Sequence, residues 1–117
     1  MKILKIGILP REQFQKRVMQ IAAGQYKPKL GEPKVWFSSI RSLSEVLSDN
    51  NVRLLKLIEQ HKPQNMKELA KLSGRQPSNL SRTLKTLARY GIVQLRKQGT
   101  MIIPHTVATQ FRIEYAL

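Results

Sequence analysis

The sequence contains no cysteine among its 117 residues, which excludes disulfides and cysteine-based zinc sites. This absence fits a reducing compartment such as the cytoplasm. Long hydrophobic runs are also missing, since none approaches the roughly 18 residues of a membrane span. The opening "MKILKIGILP" carries an apolar run that is too short for a signal peptide and that "REQ" interrupts. We therefore predict neither a membrane span nor a signal peptide.

Acidic residues are scarce and unevenly placed. The chain has 7 Asp and Glu against 21 Lys and Arg, which gives a formal net charge of +14. Residues 69–113 contain eight basic residues and no acidic one, whereas residues 35–68 are nearly balanced. A charge this high favours a polyanionic partner, with nucleic acid as the leading class and a membrane surface as the competing one.

Side chains that commonly carry catalysis are also sparse. The two histidines, His61 and His105, are far apart in the sequence, and we interpret them as surface or capping residues. The seven acidic residues form no paired constellation, which argues against a nuclease because metal-assisted phosphodiester cleavage needs clustered oxygen ligands. The sequence has no HExxH motif and no P-loop. We therefore predict no enzymatic activity, no metal site and no cofactor.

The first 34 residues predict an arm that is separate from the main body. Residues 2–9 alternate loosely between polar and apolar, which predicts a short strand. Pro10 then begins a helix, because proline is tolerated in the first turn. The apolar stripe of this helix consists of Phe14, Val18 and Ile21. The segment "KPKLGEPK" predicts a linker, so we divide the chain into residues 1–34 and residues 35–117.

The segment "VWF" at residues 35–37 contains the only tryptophan of the chain. We interpret it as a core anchor, because large aromatic side chains are mostly buried. A stacking platform for a nucleic-acid base is the alternative, although the basic and aromatic residues here do not alternate regularly.

Three capped helices are predicted after this segment. Ser38 or Ser39 caps the first helix, and the "SDNN" segment at 48–51 ends it and caps the second. Asn65 caps the third helix, and Glu68 three residues later is typical of a capping box.

One further helix and three strands complete the prediction. Gln76 and Pro77 begin the helix, and Gly91 ends it. The predicted strands are 92–96, then 101–103 up to Pro104, and a strictly alternating segment at 107–117. Residues 97–100 form the turn between the first two of these strands. Because unpaired apolar strands are a liability, we expect the first and last strands of the chain to pair, either within one chain or across a dimer.

The helix that begins at Pro77 has two distinct faces. A wheel at about 100° per residue places Leu80, Leu84 and Leu87 on one side and polar or basic residues on the other. Arginine can bind guanine bidentately, asparagine can bind adenine, and serine and threonine adapt to either base or phosphate. We predict that base edges are read by Gln76, Ser78, Asn79 and Arg82. We predict that the phosphate backbone is contacted by Arg75, Ser81, Lys85, Arg89, Arg96, Lys97 and Thr100.

The order of a short capped helix, a turn with Gly74, a basic helix and a basic hairpin is typical of a helix–turn–helix followed by a wing. The segment "NMKELAKLSGRQPSNLSRTLKTLARYGIVQLRKQG" resembles the winged helix–turn–helix of bacterial regulators such as the multiple-antibiotic-resistance-regulator group. It departs from that pattern at Ser73, where an apolar residue is usual, and at Pro77. The segment "GEPKVWFSSIRSLSEVLSDNNVRLLKLI" resembles a smaller family of predicted DNA-binding regulators, some of which look like antitoxins.

This resemblance implies an α+β winged helix–turn–helix protein that binds double-stranded DNA as a homodimer, with an extra N-terminal strand-helix arm and a C-terminal strand. We expect a cytoplasmic, nucleoid-associated transcriptional regulator, most often a repressor. Its reading helices would lie about 34–36 Å apart on a near-palindromic site. Two alternatives stay open, namely an antitoxin that binds a toxin protein and represses its own operon, and a winged helix that binds only proteins.

Overall fold

A computed structural model describes residues 2–117, so the first residue of the predicted 1–34 arm lies outside the described residues. The protein is an α+β domain with five helices and five strands within this range. The strands are β1 (Ile3–Ile8), β2 (Val35–Phe37), β3 (Val93–Gln98), β4 (Met101–Thr106) and β5 (Gln110–Glu114). The helices are α1 (Arg11–Ala22), α2 (Ile40–Val46), α3 (Asp49–His61), α4 (Met66–Ser73) and α5 (Pro77–Arg89).

Side-chain caps fix where α2, α3 and α4 begin. Ser39, Ser48 and Asn65 each accept a hydrogen bond from the backbone amide three residues later. Such a bond satisfies one of the amides that a helix leaves free at its N-terminus. The capping box predicted at Asn65 is only half formed, because the Glu68 carboxylate accepts from the amide of Gln64 instead of that of Asn65.

The two ends of the described chain meet in one parallel sheet with the strand order β2-β1-β5. In this sheet Ile6 of β1 pairs with Val35 of β2 and with Ile113 of β5. The first and last strands therefore pair within the chain, which is the first of the two predicted alternatives. The last strand is shorter than predicted, because β5 begins only after Thr109. Before it, the amide of Val107 donates to the carbonyl of Ile92, and the amide of Thr109 donates to the carbonyl of Lys2.

The prediction that Pro104 stops the strand β4 is wrong. Pro104 lies inside the strand, buried, and pairs with Leu95 of β3 in the two-stranded antiparallel sheet. Counting from the Gly99–Thr100 turn, hydrogen-bonded and non-hydrogen-bonded residue pairs alternate along the hairpin. By this alternation Pro104 belongs to a non-hydrogen-bonded pair. Its missing amide proton therefore costs no ladder hydrogen bond, and β4 is an edge strand, where proline is tolerated.

The core joins the sheet to the helices. Ile6 and Ile8 of β1 belong to the same cluster of buried side chains as the leucines of α5, and Phe37 stacks on Tyr90 at 4.4 Å between ring centroids. Trp36 is half-buried on the opposite face of the sheet. Its ring lies against Gly7 and 6.5 Å from Phe14, so this tryptophan packs α1 onto β1.

Candidate nucleic-acid interface

Helices α4 and α5 are joined by a three-residue turn that needs a glycine. Gly74 ends α4 in the left-handed conformation, with φ of 69°, and its amide donates to the carbonyl of Ala70. Residues with a side chain seldom adopt this conformation, so glycine is favoured here. Gln76 precedes α5 in an extended conformation, and Pro77 takes the first helical position. The turn therefore sets the angle at which α5 leaves α4.

Helix α5 separates a buried face from an exposed one, as the wheel predicts. Leu80, Leu84 and Leu87 are each fully buried in the core. The exposed ridge consists of Ser78, Arg82, Lys85 and Arg89. These residues recur at three- and four-residue spacing, so their side chains lie in one row along the helix. The ridge offers hydroxyl, guanidinium and ammonium donors over about three turns.

Asn79 lies at the side of this ridge instead of on its crest. It lines a groove of about 570 Å³ between α3 and the first turns of α5, together with Thr83. On the wheel it is displaced by about 60° from Arg82. The predicted reading set is therefore split, with Ser78 and Arg82 on the ridge and Asn79 facing the groove.

Two arginines line the same groove. Arg53, which the sequence analysis did not single out, lies on α3 and donates to the Asn50 side chain at 2.8 Å. Its surroundings in the sequence are nearly balanced in charge, so composition alone gave no signal. The signal in the sequence for this residue is a basic side chain at an exposed position in the first turns of α3, the helix that packs against α4.

Arg75 is bound within the protein. Its guanidinium donates to the carbonyl of Asn50 at 2.8 Å and to the side-chain oxygen of Asn51 at 3.3 Å. These bonds connect the α4–α5 turn to the first turn of α3, 24 residues earlier. Arg75 was predicted to contact phosphate, and this geometry gives it a positioning role at the side of the groove as well.

The N-terminus of α5 carries no side-chain cap and no acidic residue in its first turn. The first amides of a helix lack intrahelical partners, and the helix dipole places partial positive charge there. Backbone donors near Ser78 and Asn79 are therefore available to an anion such as a phosphate group.

The β3–β4 hairpin projects a second basic surface. Arg96, Lys97 and Thr100 are all exposed near its tip, and Gly99 has the φ of 65° that the two-residue turn requires. Successive side chains of a strand point to opposite faces, so Arg96 and Lys97 diverge. Arg96 donates to the side chain of Gln94 on its own face at 3.0 Å.

The basic residues of α5 and of the hairpin are free of protein counter-charges. Within residues 2–117 the ion pairs are Arg17–Glu32 at 2.8 Å and Lys62–Glu59 at 3.9 Å, and neither involves residues 69–113. Ser81 is half-buried beside the ridge, whereas Gln76 and Lys85 are exposed. The surface thus presents a field of one sign, which attracts an extended polyanion.

Two side chains with shifted pKa values, Arg17 and Glu32, lie in a separate cluster beside α1. The hydrogen bond to Glu32 raises the pKa of Arg17, and hydrogen bonds from Tyr26 and then from Arg17 hold the pKa of Glu32 below its ordinary value. The guanidinium of Arg17 also lies over the ring of Trp36, 5.0 Å from its centroid. This cluster fastens the segment at 26–34 to α1 and lies outside the basic surface.

Comparison with known proteins gives a match to a family model. No helix in residues 2–117 combines the length and the apolar composition needed to cross a membrane. No curated protein matches the chain. The HVO_A0114 family model matches residues 46–113, a range that runs from the end of α2 to β5 and includes the whole basic surface. Since this range is more than half of the sequence, the chain belongs to the HVO_A0114 family.

Proposed function

We propose that this protein is a winged helix–turn–helix regulator that binds double-stranded DNA as a homodimer. In this proposal α4 and α5 are the helix–turn–helix, and the β3–β4 hairpin is the wing. Helix α5 enters the major groove with Ser78 and Arg82 toward base edges, while Lys85 and Arg89 bind the flanking phosphates.

The observation that carries the proposal is the acid-free basic surface. Its cations have no ion-pair partner among the described residues, so they keep their full charge for a ligand. These cations are also arranged to match DNA. One set forms a row along α5, which fits the major groove, and the other lies on the projecting hairpin, which can reach the phosphate backbone. A membrane surface would need an apolar face beside the charges, whereas the apolar face of α5 is buried in the core.

Selection of bound duplexes from a random pool tests the proposal, with the affinity of the selected sequence followed against salt. Lys85, Arg89, Arg96 and Lys97 are the phosphate-binding side chains that lack a structural role. Each neutralised phosphate contributes about 0.9 to the slope of log K against log salt, so four predict a slope of roughly −3.6 per copy and −7 per dimer.

Three outcomes of this experiment differ clearly. Enrichment of a near-palindromic sequence with the steep slope supports a sequence-specific regulator. A steep slope without any enriched sequence would replace it by non-specific binding. Absence of binding at low salt would contradict DNA binding altogether and favour a protein-binding module.

A further inference from the structure

The outer edge of β5 has no strand beside it within residues 2–117. The sheet order β2-β1-β5 leaves β1 as the only neighbour of β5. The amide of Gln110 donates to the carbonyl of Lys2 at 3.3 Å, so the backbone groups of the even-numbered residues face β1. The amides and carbonyls of Phe111 and Ile113 therefore point outward, where they are available to another strand.

The apolar face of the sheet is also incomplete at this edge. Ile113 pairs in register with Ile6, so both side chains lie on the face that packs on the core. Ile6 is 0% exposed, whereas Ile113 is 50% exposed. Tyr115 continues the same alternation and is 55% exposed. A row of apolar side chains thus extends past the edge of the core.

We propose that β5 pairs antiparallel with β5 of a second copy about a two-fold axis at Ile113. Ile113 then lies opposite the partner's Ile113, and Phe111 lies opposite the partner's Tyr115. The outward-pointing backbone groups of both strands meet in this register and form a ladder. The two sheets become one six-stranded sheet across the dimer.

Charge selects this register over its neighbours. Arg112 lies opposite the partner's Glu114, and the symmetry makes this pair twice. Glu114 is the only acidic residue after Glu68 in the sequence. Moving the axis to residue 112 or 114 would place two arginines or two glutamates opposite each other, and like charges directly opposite are destabilising.

The neighbourhood of Arg112 adds to this preference. Its register partner inside the sheet is Lys5, so the two cations lie side by side on the same face. Among residues 2–117 no carboxylate forms an ion pair with Arg112. The partner's Glu114 supplies this missing negative charge.

An apolar groove beside β5 accommodates the rest of the partner strand. The groove has a volume of about 230 Å³ and lies between α3 and the segment at 106–111, with Val52, Leu55 and Phe111 in its lining. In the proposed register the partner's Tyr115 lies opposite Phe111, which lines the groove. The occupant is therefore a second copy of this chain.

Charge reversal tests the interface on the full chain by sedimentation equilibrium, with circular dichroism as a check of folding. We expect the unsubstituted chain to form a dimer of twice 13.5 kDa. Arg112→Glu and Glu114→Arg should each weaken dimerisation about tenfold or more, and the double variant should restore it to within a few-fold. Arg96→Glu is the matched control, since it reverses a charge on the hairpin and should leave the dimer unchanged.

Three results would overturn the proposal. One is a monomer at concentrations up to about 0.1 mM. The others are single reversals without effect and a double variant weaker than either single one. The interface deepens the homodimer of the proposed function and rests on it for its role, but its test contains no DNA. A monomer that still binds DNA would therefore overturn the interface alone.

A cross-link gives a second measurement that does not depend on charge. Because the chain has no cysteine, Ile113→Cys introduces a single thiol per copy. Directly opposite residues of a bonded antiparallel pair have Cα atoms about 5.5 Å apart, within the range that a disulfide spans. Mild oxidation should link this variant into a covalent dimer much faster than the control Thr100→Cys, and equal rates would contradict the two-fold axis at Ile113.

Discussion

Replacing Gly7 with alanine tests whether the close approach of Trp36 to β1 fixes this part of the fold. A Cβ atom at residue 7 would lie 2.3 Å from the Cζ3 atom and 2.5 Å from the Cε3 atom of the Trp36 ring. Favourable carbon–carbon contacts are about 3.5–4.0 Å, so the ring must withdraw by more than about 1 Å. Phe14 and Arg17 pack on the Trp36 ring, which restricts its movement. Because β1 is the central strand of the sheet, its backbone cannot easily move away either.

The expected cost follows from two opposing effects. Overpacking of this kind destabilises the folded protein by about 1–3 kcal/mol. Replacing glycine also lowers the conformational entropy of the unfolded chain, which stabilises the protein by about 0.4–1 kcal/mol. The free energy of unfolding should therefore fall by about 1–2 kcal/mol, which for a chain of this size lowers Tm by roughly 3–10 °C.

A double-mutant cycle in urea, followed by circular dichroism, isolates the contact. Leucine at residue 36 lacks the ring atoms that Cβ would meet, so in the Trp36→Leu background Gly7→Ala should be neutral or stabilising. The coupling free energy should be about 1–3 kcal/mol. An equal cost of Gly7→Ala in both backgrounds would refute the argument, because the cost would then come from the strand and not from the ring.

Four further predictions concern the basic surface and the α1 cluster. Arg82→Ala should cost about 1–3 kcal/mol on the selected DNA and relax its sequence preference, and an equal loss on random DNA would count against base reading. Lys97→Ala should weaken binding to all sequences alike and reduce the salt slope by about 0.9 per copy, which is about 1.8 for the dimer, as fluorescence polarisation would show. Arg75→Ala should lower the free energy of unfolding by about 1–2 kcal/mol in urea, and unchanged stability would mean that its bonds to α3 contribute nothing. Because the pKa of Glu32 is lowered in the folded state, the stabilisation by this carboxylate is present above its ordinary pKa of 4.5 and is lost as the pH falls below it. Glu32→Gln should flatten the dependence of urea stability on pH below that value, and a parallel curve for the variant would exclude this origin.

The helix starts could be predicted because their causes are local. A capping side chain acts on an amide three residues away, and the leucines of α5 repeat within one helix. Ser48 and Leu84 therefore have the positions that the sequence indicates. The extent of β4 was not predicted, since whether a proline interrupts a strand depends on which of its backbone sides faces a partner.

The candidate site shows the same division. Exposure of Arg82 and burial of the opposite face follow from helical periodicity, which is a property of α5 alone. The bonds from Arg75 to Asn51 and the groove beside Asn79 depend on how α3 lies against the α4–α5 turn. Periodicity contains no information on that packing, so the sequence assigned Arg75 by its charge only.

The pairing of Ile3 with Gln110 also has a consequence for synthesis on the ribosome. Strand β1 emerges early, yet one of its two neighbours emerges more than 100 residues later. The hairpin and helices between them can form from nearby contacts, whereas the three-stranded sheet must wait for β5, because such a distant pairing has a high entropic cost of closure. During that interval the edge of β1 that later pairs with β5 is open to chaperones, so the nascent chain should be most dependent on them just before residue 114 becomes free.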